Sequence, residues 1–307
     1  MGRCIIIAWA LALAAGPPRA ADAPKQLIAH RGASGYRPEH TLASYRLAME
    51  QRADFVEPDL AVTKDHVLIC LHDDTLERTT NIADIFPDRA SANVPPYAQR
   101  DPRSQKHWVA NDFTIDEIKR LDAGKWFKTE FAGEKIVTFQ ELIDLVRGKA
   151  GLYPELKSPE LYRSRHVDQV KLFVDLIKKN GLETPESLKA TPIIIQSFDL
   201  EAVRQVSKDL PTIPRVFLTF RDADVTEAKL RELKTFATGI APEKAVVARH
   251  PEVIKVAHDL GLTVTCWTFR ADEKTSFPDV RAEMSHFLYE LGIDALFTNN
   301  PDLFPRR

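Results

Sequence analysis

The chain has 307 residues, 44% of them hydrophobic and 28% charged, with a formal net charge of −2. A chain of this length and make-up can bury a full core without a disulfide framework or a structural metal. The near-neutral balance argues against a nucleic-acid partner, which would favour a basic stripe.

Residues 1–23 have the layout of a secretory signal peptide: Arg3, an apolar run from Cys4 to Ala15, then small residues up to Ala21-Asp22-Ala23. The run is too short to span a bilayer, which takes about 20 apolar residues, so no stable membrane insertion of the mature chain is expected. Cleavage falls after Ala23 or after Ala20, and a periplasmic or secreted location follows. Removal of the leader takes Cys4 away. Cys70 and Cys266 then remain, each inside an apolar strand-like run, and are read as free thiols.

Residues 24–307 alternate short apolar runs with amphipathic stretches. Strands are predicted at 26–30, 55–63, 67–72, 152–156, 193–196, 216–219, 239–241, 263–268 and 295–298. Helices are predicted between them at 41–51, 138–147, 165–179, 200–208, 225–233, 251–260 and 279–291, with Gly181 and Gly261 just past two of them. Continuous aliphatic strands alternating with helices predict a parallel sheet buried on both faces, an α/β chain folded as a (β/α)8 TIM barrel. Nine runs is one too many for that ring. Lys64-Asp65-His66 separates two of them, so 55–63 and 67–72 are read as one antiparallel hairpin rising from the barrel. A two-residue turn there would pair Glu57 with His72. Residues 79–136, rich in Pro and aromatics, break the βα rhythm and are read as a subdomain inserted after that hairpin. Its one helix would be Thr114–Leu121, with Thr114 and Glu117 as a capping box.

In a (β/α)8 enzyme the reacting groups gather at the carboxyl ends of the strands. His30 and Arg31 end the first strand, Glu57 and Asp59 lie on the second, His72 and Asp73 end the returning arm, and Glu155 and Lys157 end the third barrel strand. Singly, each has a bland explanation: a hydrogen-bonded structural His, a solvated Glu-x-Asp. Jointly they would be costly to desolvate without a ligand or metal. Glu57, Asp59 and Glu155 offer oxygen ligands suited to Ca2+ or Mg2+. His30 and His72 can work as a general acid and base. Arg31 can grip a phosphate with its planar fork, and Lys157 adds a point charge. Trp267 either flanks the substrate or belongs to the core. His40 is the nearest of the other histidines to the first motif and is expected to steady its loop. Ser197 lacks the flanking glycines of a nucleophile elbow.

The motifs His30-Arg31-Gly32-Ala33-Ser34-Gly35 with Pro38-Glu39-His40-Thr41, Glu57-Pro58-Asp59 with Leu71-His72-Asp73, and Tyr153-Pro154-Glu155-Leu156-Lys157 stand in order. With Gln196-Ser197-Phe198, Cys266-Trp267-Thr268 and Leu296-Phe297-Thr298-Asn299-Asn300-Pro301, the chain resembles the glycerophosphodiester phosphodiesterase family. Residues 79–90 resemble the insertion of its bacterial periplasmic branch. The resemblance implies hydrolysis of small-molecule glycerophosphodiesters to sn-glycerol 3-phosphate and an alcohol. It implies His30 and His72 as the acid–base pair, Glu57, Asp59 and Glu155 around a divalent cation (Ca2+ ahead of Mg2+), and Arg31 and Lys157 on the phosphate. Pro58 departs from the family pattern, as does His66.

Two rivals stand beside this reading. One is a related phospholipase D-type or lysophospholipid-cleaving phosphodiesterase, with Phe86, Tyr97, Trp108, Phe113, Trp126 and Phe127 available for an apolar groove. The other is a non-enzymatic phosphodiester-binding barrel, which loss of a His or a metal acid would favour; none is missing. The sequence leaves a monomer and a homodimer both open.

Overall fold

The computed structural model describes residues 24–92, 94 and 104–307. The leader, with Cys4, and Tyr97 lie outside the described residues. Eleven strand segments form one sheet. They are β1 (Gln26–His30), β2 (Phe55–Glu57), β3 (Asp59–Val62), β4 (Leu68–Cys70), β5 (Gly151–Leu152), β6 (Glu155–Leu156), β7 (Ile195–Ser197), β8 (Arg215–Thr219), β9 (Gly239–Pro242), β10 (Thr263–Phe269) and β11 (Ala295–Thr298).

The eleven segments make eight barrel strands. Pro58 has no N–H to give the ladder, so it divides the second strand into β2 and β3. Its carbonyl still accepts from Glu155 N–H, as Val56 O accepts from Tyr153 N–H, so the strand keeps its place beside the third. Tyr153-Pro154 divides that third strand into β5 and β6 in the same way. β4 pairs antiparallel with β3 and lies outside the ring; every other pairing is parallel. β1 pairs with both β2 and β11, which closes the barrel.

The hairpin differs from the sequence expectation by one residue. Leu60 faces Cys70, Ala61 faces Ile69 and Val62 faces Leu68, which sets Pro58, not Glu57, at the level of His72. The connection has three residues, Lys64, Asp65 and His66, because Thr63 N–H donates to Val67 O at 3.0 Å. His66 takes the left-handed conformation (φ 63°) that such a turn needs at its third position.

The barrel interior begins with Ile28, Phe55, Tyr153, Val216, Leu218, Ala241, Ala295 and Phe297. Tyr153 packs edge-on against Phe55 and Phe297, with ring centroids at 5.8 and 5.1 Å. Residues one position away, such as Leu27, Ala29 and Val56, face outward into a larger core shared with the helices. There Tyr45 and Ala48 of the helix Leu42–Glu50 are fully buried.

The helices follow the expected order with three departures. The helix expected at 165–179 runs over Gln169–Lys179, and a separate helix, Pro159–Ser164, precedes it where none was expected. Pro185–Ala190 and Lys244–Arg249 are additional short ones. Between residues 79 and 136 the described residues form two short α-helices rather than one, with 3-10 turns at Ala110–Asp112 and Thr129–Phe131. Ile82–Ile85 is the addition; Ile115–Ile118 carries the expected capping box of Thr114 and Glu117. Cys70 and Cys266 are buried free thiols. No helix among the described residues is long and apolar enough to cross a membrane.

Candidate active site at the carboxyl ends of the strands

Side chains in a strand alternate between its two faces, so the interior face repeats every second residue. Stepping two residues along from the apolar layer therefore generates the site. Ile28 leads to His30, Phe55 to Glu57, Tyr153 to Glu155 and Phe297 to Asn299. A further step leads to Asp59 and Lys157. A polar layer thus sits directly on an apolar plug. The cavity above it has a volume of about 670 Å3, and all eight residues singled out in the sequence line it: His30, Arg31, Glu57, Asp59, His72, Glu155, Lys157 and Trp267.

Glu57, Asp59 and Glu155 are buried, and each offers a carboxylate oxygen within 4.8 Å of the others. Burial, with the Asp59 and Glu155 charges behind it, pushes the Glu57 carboxyl well above its usual range. Burial also lifts Glu155 to about 8, against the pull of Lys157. Asp59 stays well below the usual carboxylate range because Lys157, His72 and Arg31 together outweigh its burial. Lys157 Nζ lies 3.1 Å from Glu155 and 3.6 Å from Asp59. Arg31 N–H donates to Glu57 at 2.8 Å, and Gln196 donates to its other oxygen at 3.4 Å. This all-oxygen donor set of three crowded carboxylates could hold a hard divalent cation, which would relieve the repulsion that protonation relieves otherwise.

The two imidazoles flank that cluster, and each has its Nδ1 engaged. His30 Nδ1 meets Asn299 Oδ1 at 2.8 Å, and His72 Nδ1 meets Asp73 Oδ1 at 2.6 Å. Both partners accept, so Nδ1 carries the hydrogen and Nε2 is left with its lone pair. Burial and then the Arg31 charge lower His30 to about 3. Burial, Arg31 and Lys157 depress His72 well below its ordinary value. Both rings are consequently neutral near pH 7, as a proton acceptor must be.

His40 holds Asp59 and the Tyr45 hydroxyl, at 3.0 and 2.8 Å, and so steadies the acid from behind. Ser197 donates to Leu156 O and is buried, which leaves no exposed nucleophile there. Trp267 is a wall of the cavity: its Nε1 donates to Ala241 O, and its ring meets Phe198 edge-on at 5.6 Å. Asn299, Gln196, Phe220 and Arg270 are among the lining or supporting residues that were not singled out from sequence. Asn299 and Gln196 do stand inside the strand-end motifs of the resemblance, two residues beyond interior positions, which was the available signal.

The model of the Glycerophosphoryl diester phosphodiesterase family matches residues 30–303. The chain is 36% identical over 287 residues to a Bacillus subtilis glycerophosphodiester phosphodiesterase, covering 90% of this chain and 84% of that one. It is 30% identical to a glycerophosphodiester phosphodiesterase of Caldanaerobacter subterraneus, covering 90% and 94%. Among solved structures, an Oleispira antarctica phosphodiesterase in complex with the product sn-glycerol-3-phosphate superposes with a TM-score of 0.70 at 25% identity, covering 91% of this chain and 94% of that one.

Proposed function

The chain belongs to the glycerophosphoryl diester phosphodiesterase family, and from that premise we propose that it hydrolyses glycerophosphodiesters to sn-glycerol 3-phosphate and an alcohol, by histidine acid–base catalysis at a divalent-cation site. The observation that carries this reading is the convergence of His30, His72, the acidic triad, Arg31 and Lys157 on one cavity.

Glu57, Asp59 and Glu155 would hold the cation. Bound there, it would supply positive charge for a phosphate oxygen as charge builds at phosphorus. Ca2+ is favoured over Mg2+ because carboxylate oxygens from different strands suit a larger ion with flexible geometry. Arg31 and Lys157 bind the phosphodiester and orient it. The neighbouring glycerol hydroxyl attacks phosphorus. One histidine takes that hydroxyl's proton at Nε2, while the other gives a proton to the departing alkoxide. The P–O bond to the alcohol breaks and a cyclic phosphate forms. The rings then exchange roles: one takes a proton from water as it attacks, the other returns a proton to the glycerol oxygen. Asn299 and Asp73 hold each ring in the tautomer that exposes Nε2. The anionic substrate offsets the push of Arg31 and Lys157 against an imidazolium, which allows the acid to carry its proton.

The test is product identification. Purified protein with Ca2+ is given glycerophosphocholine, glycerophosphoethanolamine and lysophosphatidylcholine, and the phosphate-bearing product is identified by mass spectrometry. Release of glycerol phosphate from the first two supports the proposal; turnover of the lysolipid alone moves the assignment to a lipid-cleaving enzyme. The exposed Phe198 and Phe220 at the cavity mouth are what that second reading would use. The leader-like residues 1–23 support placing the enzyme in the periplasm or outside the cell, within the family's periplasmic branch. N-terminal sequencing of protein from an osmotic-shock fraction tests this; an intact Met1 would contradict it.

A further inference from the structure

We propose that Arg78 is a positioning residue that fixes His72 and Arg31 relative to one another, acting through Asp73 and Glu39. The inference rests on the phosphodiesterase reading above and assigns a part to a residue outside the cavity.

One guanidinium bridges two carboxylates, and each carboxylate clamps one residue of the site. Arg78 Nε donates to Asp73 Oδ2, and Asp73 Oδ1 accepts from His72 Nδ1 at 2.6 Å. The Arg78 Nη2 and Nη1 donate to the two oxygens of Glu39 at 2.7 and 3.2 Å. The same Glu39 Oε1 accepts from Arg31 Nη1 at 3.1 Å. The chain His72–Asp73–Arg78–Glu39–Arg31 is therefore continuous, running from a proposed acid–base group to a proposed phosphate ligand. Neither Asp73, Glu39 nor Arg78 lines the cavity among the described residues.

The chemistry of the bridge is specific to arginine. The guanidinium is planar and presents its donors in a fixed fork, so the angle between the two carboxylates is set by the side chain itself. A lysine would offer one point charge and could not hold both at once. Asp73 is almost fully buried and Glu39 nearly so, with side-chain exposures of 3% and 12%. Without Arg78 these two anions would lose their shared cation and compete for His72 and Arg31. Arg78 is itself anchored, because the ring of Trp126 lies 5.9 Å from its Cζ. Trp126 belongs to the 79–136 segment, so that segment reaches the site through this contact.

The experiment compares steady-state kinetics of the full chain, loaded with Ca2+, as wild type, Arg78→Ala and Arg78→Lys, on glycerophosphocholine. The expected result is a kcat for Arg78→Ala reduced by about 10- to 100-fold, the usual effect of removing an outer orienting partner, with a much smaller change in KM. Millimolar guanidinium should restore part of that loss. Arg78→Lys should fall between the two, since one carboxylate is still held. A wild-type kcat in Arg78→Ala overturns the proposal. So does a loss that neither guanidinium nor Lys relieves, which would mark Arg78 as packing. If Arg78→Ala fails to fold, Arg78→Lys carries the test, and a wild-type kcat there overturns the proposal equally. An inactive wild type would overturn the phosphodiesterase reading, and this inference with it; an active wild type with unaffected variants overturns the positioning role alone.

Discussion

His30 and Asn299 meet at 2.8 Å across the seam where the barrel closes, the imidazole ending β1 and the amide following β11. The two residues are far apart in the chain, and they are neighbours only because Ala29 pairs with Thr298 in a parallel ladder. Ring closure therefore does chemical work: it supplies the acceptor that decides which nitrogen of His30 faces the cavity. Asn299→Ala should lower kcat by about 10- to 100-fold while leaving the melting temperature close to wild type. An unchanged kcat would mean that the tautomer of His30 is immaterial.

The stability of the cation-free protein should depend on pH with a definite sign on each side. Burial and Arg31 depress His30 from its ordinary 6.5 to about 3 in the folded chain. That preference for neutral imidazole stabilises the fold above 6.5 and is lost as the pH falls toward 3. His30→Gln should accordingly flatten the acid side of a melting-temperature profile.

Glu155 works in the opposite direction. Its carboxyl is lifted from 4.5 to about 8 by burial, so its contribution is complete below 4.5 and is lost as the pH rises through 8. Between about pH 7 and 9, where histidine is neutral folded or unfolded, the chelated protein should lose stability. Added Ca2+ should raise its melting temperature by an amount that grows over that interval, since the ion takes the place of the proton. A Ca2+ effect that shrinks as pH rises would contradict the assignment of the triad as the cation site.

His66 makes the β3–β4 turn with φ at 63°, a conformation that costs a side-chain-bearing residue about 1–2 kcal/mol. Glycine adopts it without that penalty but with more entropy to lose. His66→Gly should therefore stabilise the fold by up to about 1 kcal/mol in urea melts, with unchanged kcat; a net destabilisation would show that the imidazole contributes more than the turn costs.

The same turn explains what could and could not be read from the sequence. The barrel strands were legible because they are buried on both faces and read as unbroken aliphatic runs. The hairpin was legible too, but its register was not. Arithmetic for a two-residue turn puts Glu57 opposite His72, and the third turn residue shifts the pairing by one. That His30, Glu57, Asp59, Glu155 and Lys157 would share one cavity was legible, because ionisable chemistry coincides with a spacing of two along the strands; Trp267 carried no such signal and stood open between core and cavity wall. The Asp73–Arg78–Glu39 bridge was not, since its members meet only after the hairpin folds back over the first loop. Pro185–Ala190 and Lys244–Arg249 escaped because six residues are under two turns of helix, too short for a period of 3.6 to declare itself.

The larger core sets the expected penalty for disrupting the helical shell. Phe139 and Phe173 are fully buried, from different helices, and stack with ring centroids 5.7 Å apart. Phe173→Ala should cost about 3–5 kcal/mol, as a large cavity in a packed core does, measured by equilibrium denaturation. A cost under about 1 kcal/mol would mean that this layer repacks.

The most direct test of the central claim is glycerol 3-phosphate release from glycerophosphocholine by protein stripped with chelator and then resupplied with Ca2+ or Mg2+. No release is expected after stripping, and release should return with Ca2+. That restored activity should be lost in His30→Ala, His72→Ala and Glu57→Ala, each of which should still fold. Full activity in the chelated enzyme, or in either histidine variant, would contradict the claim.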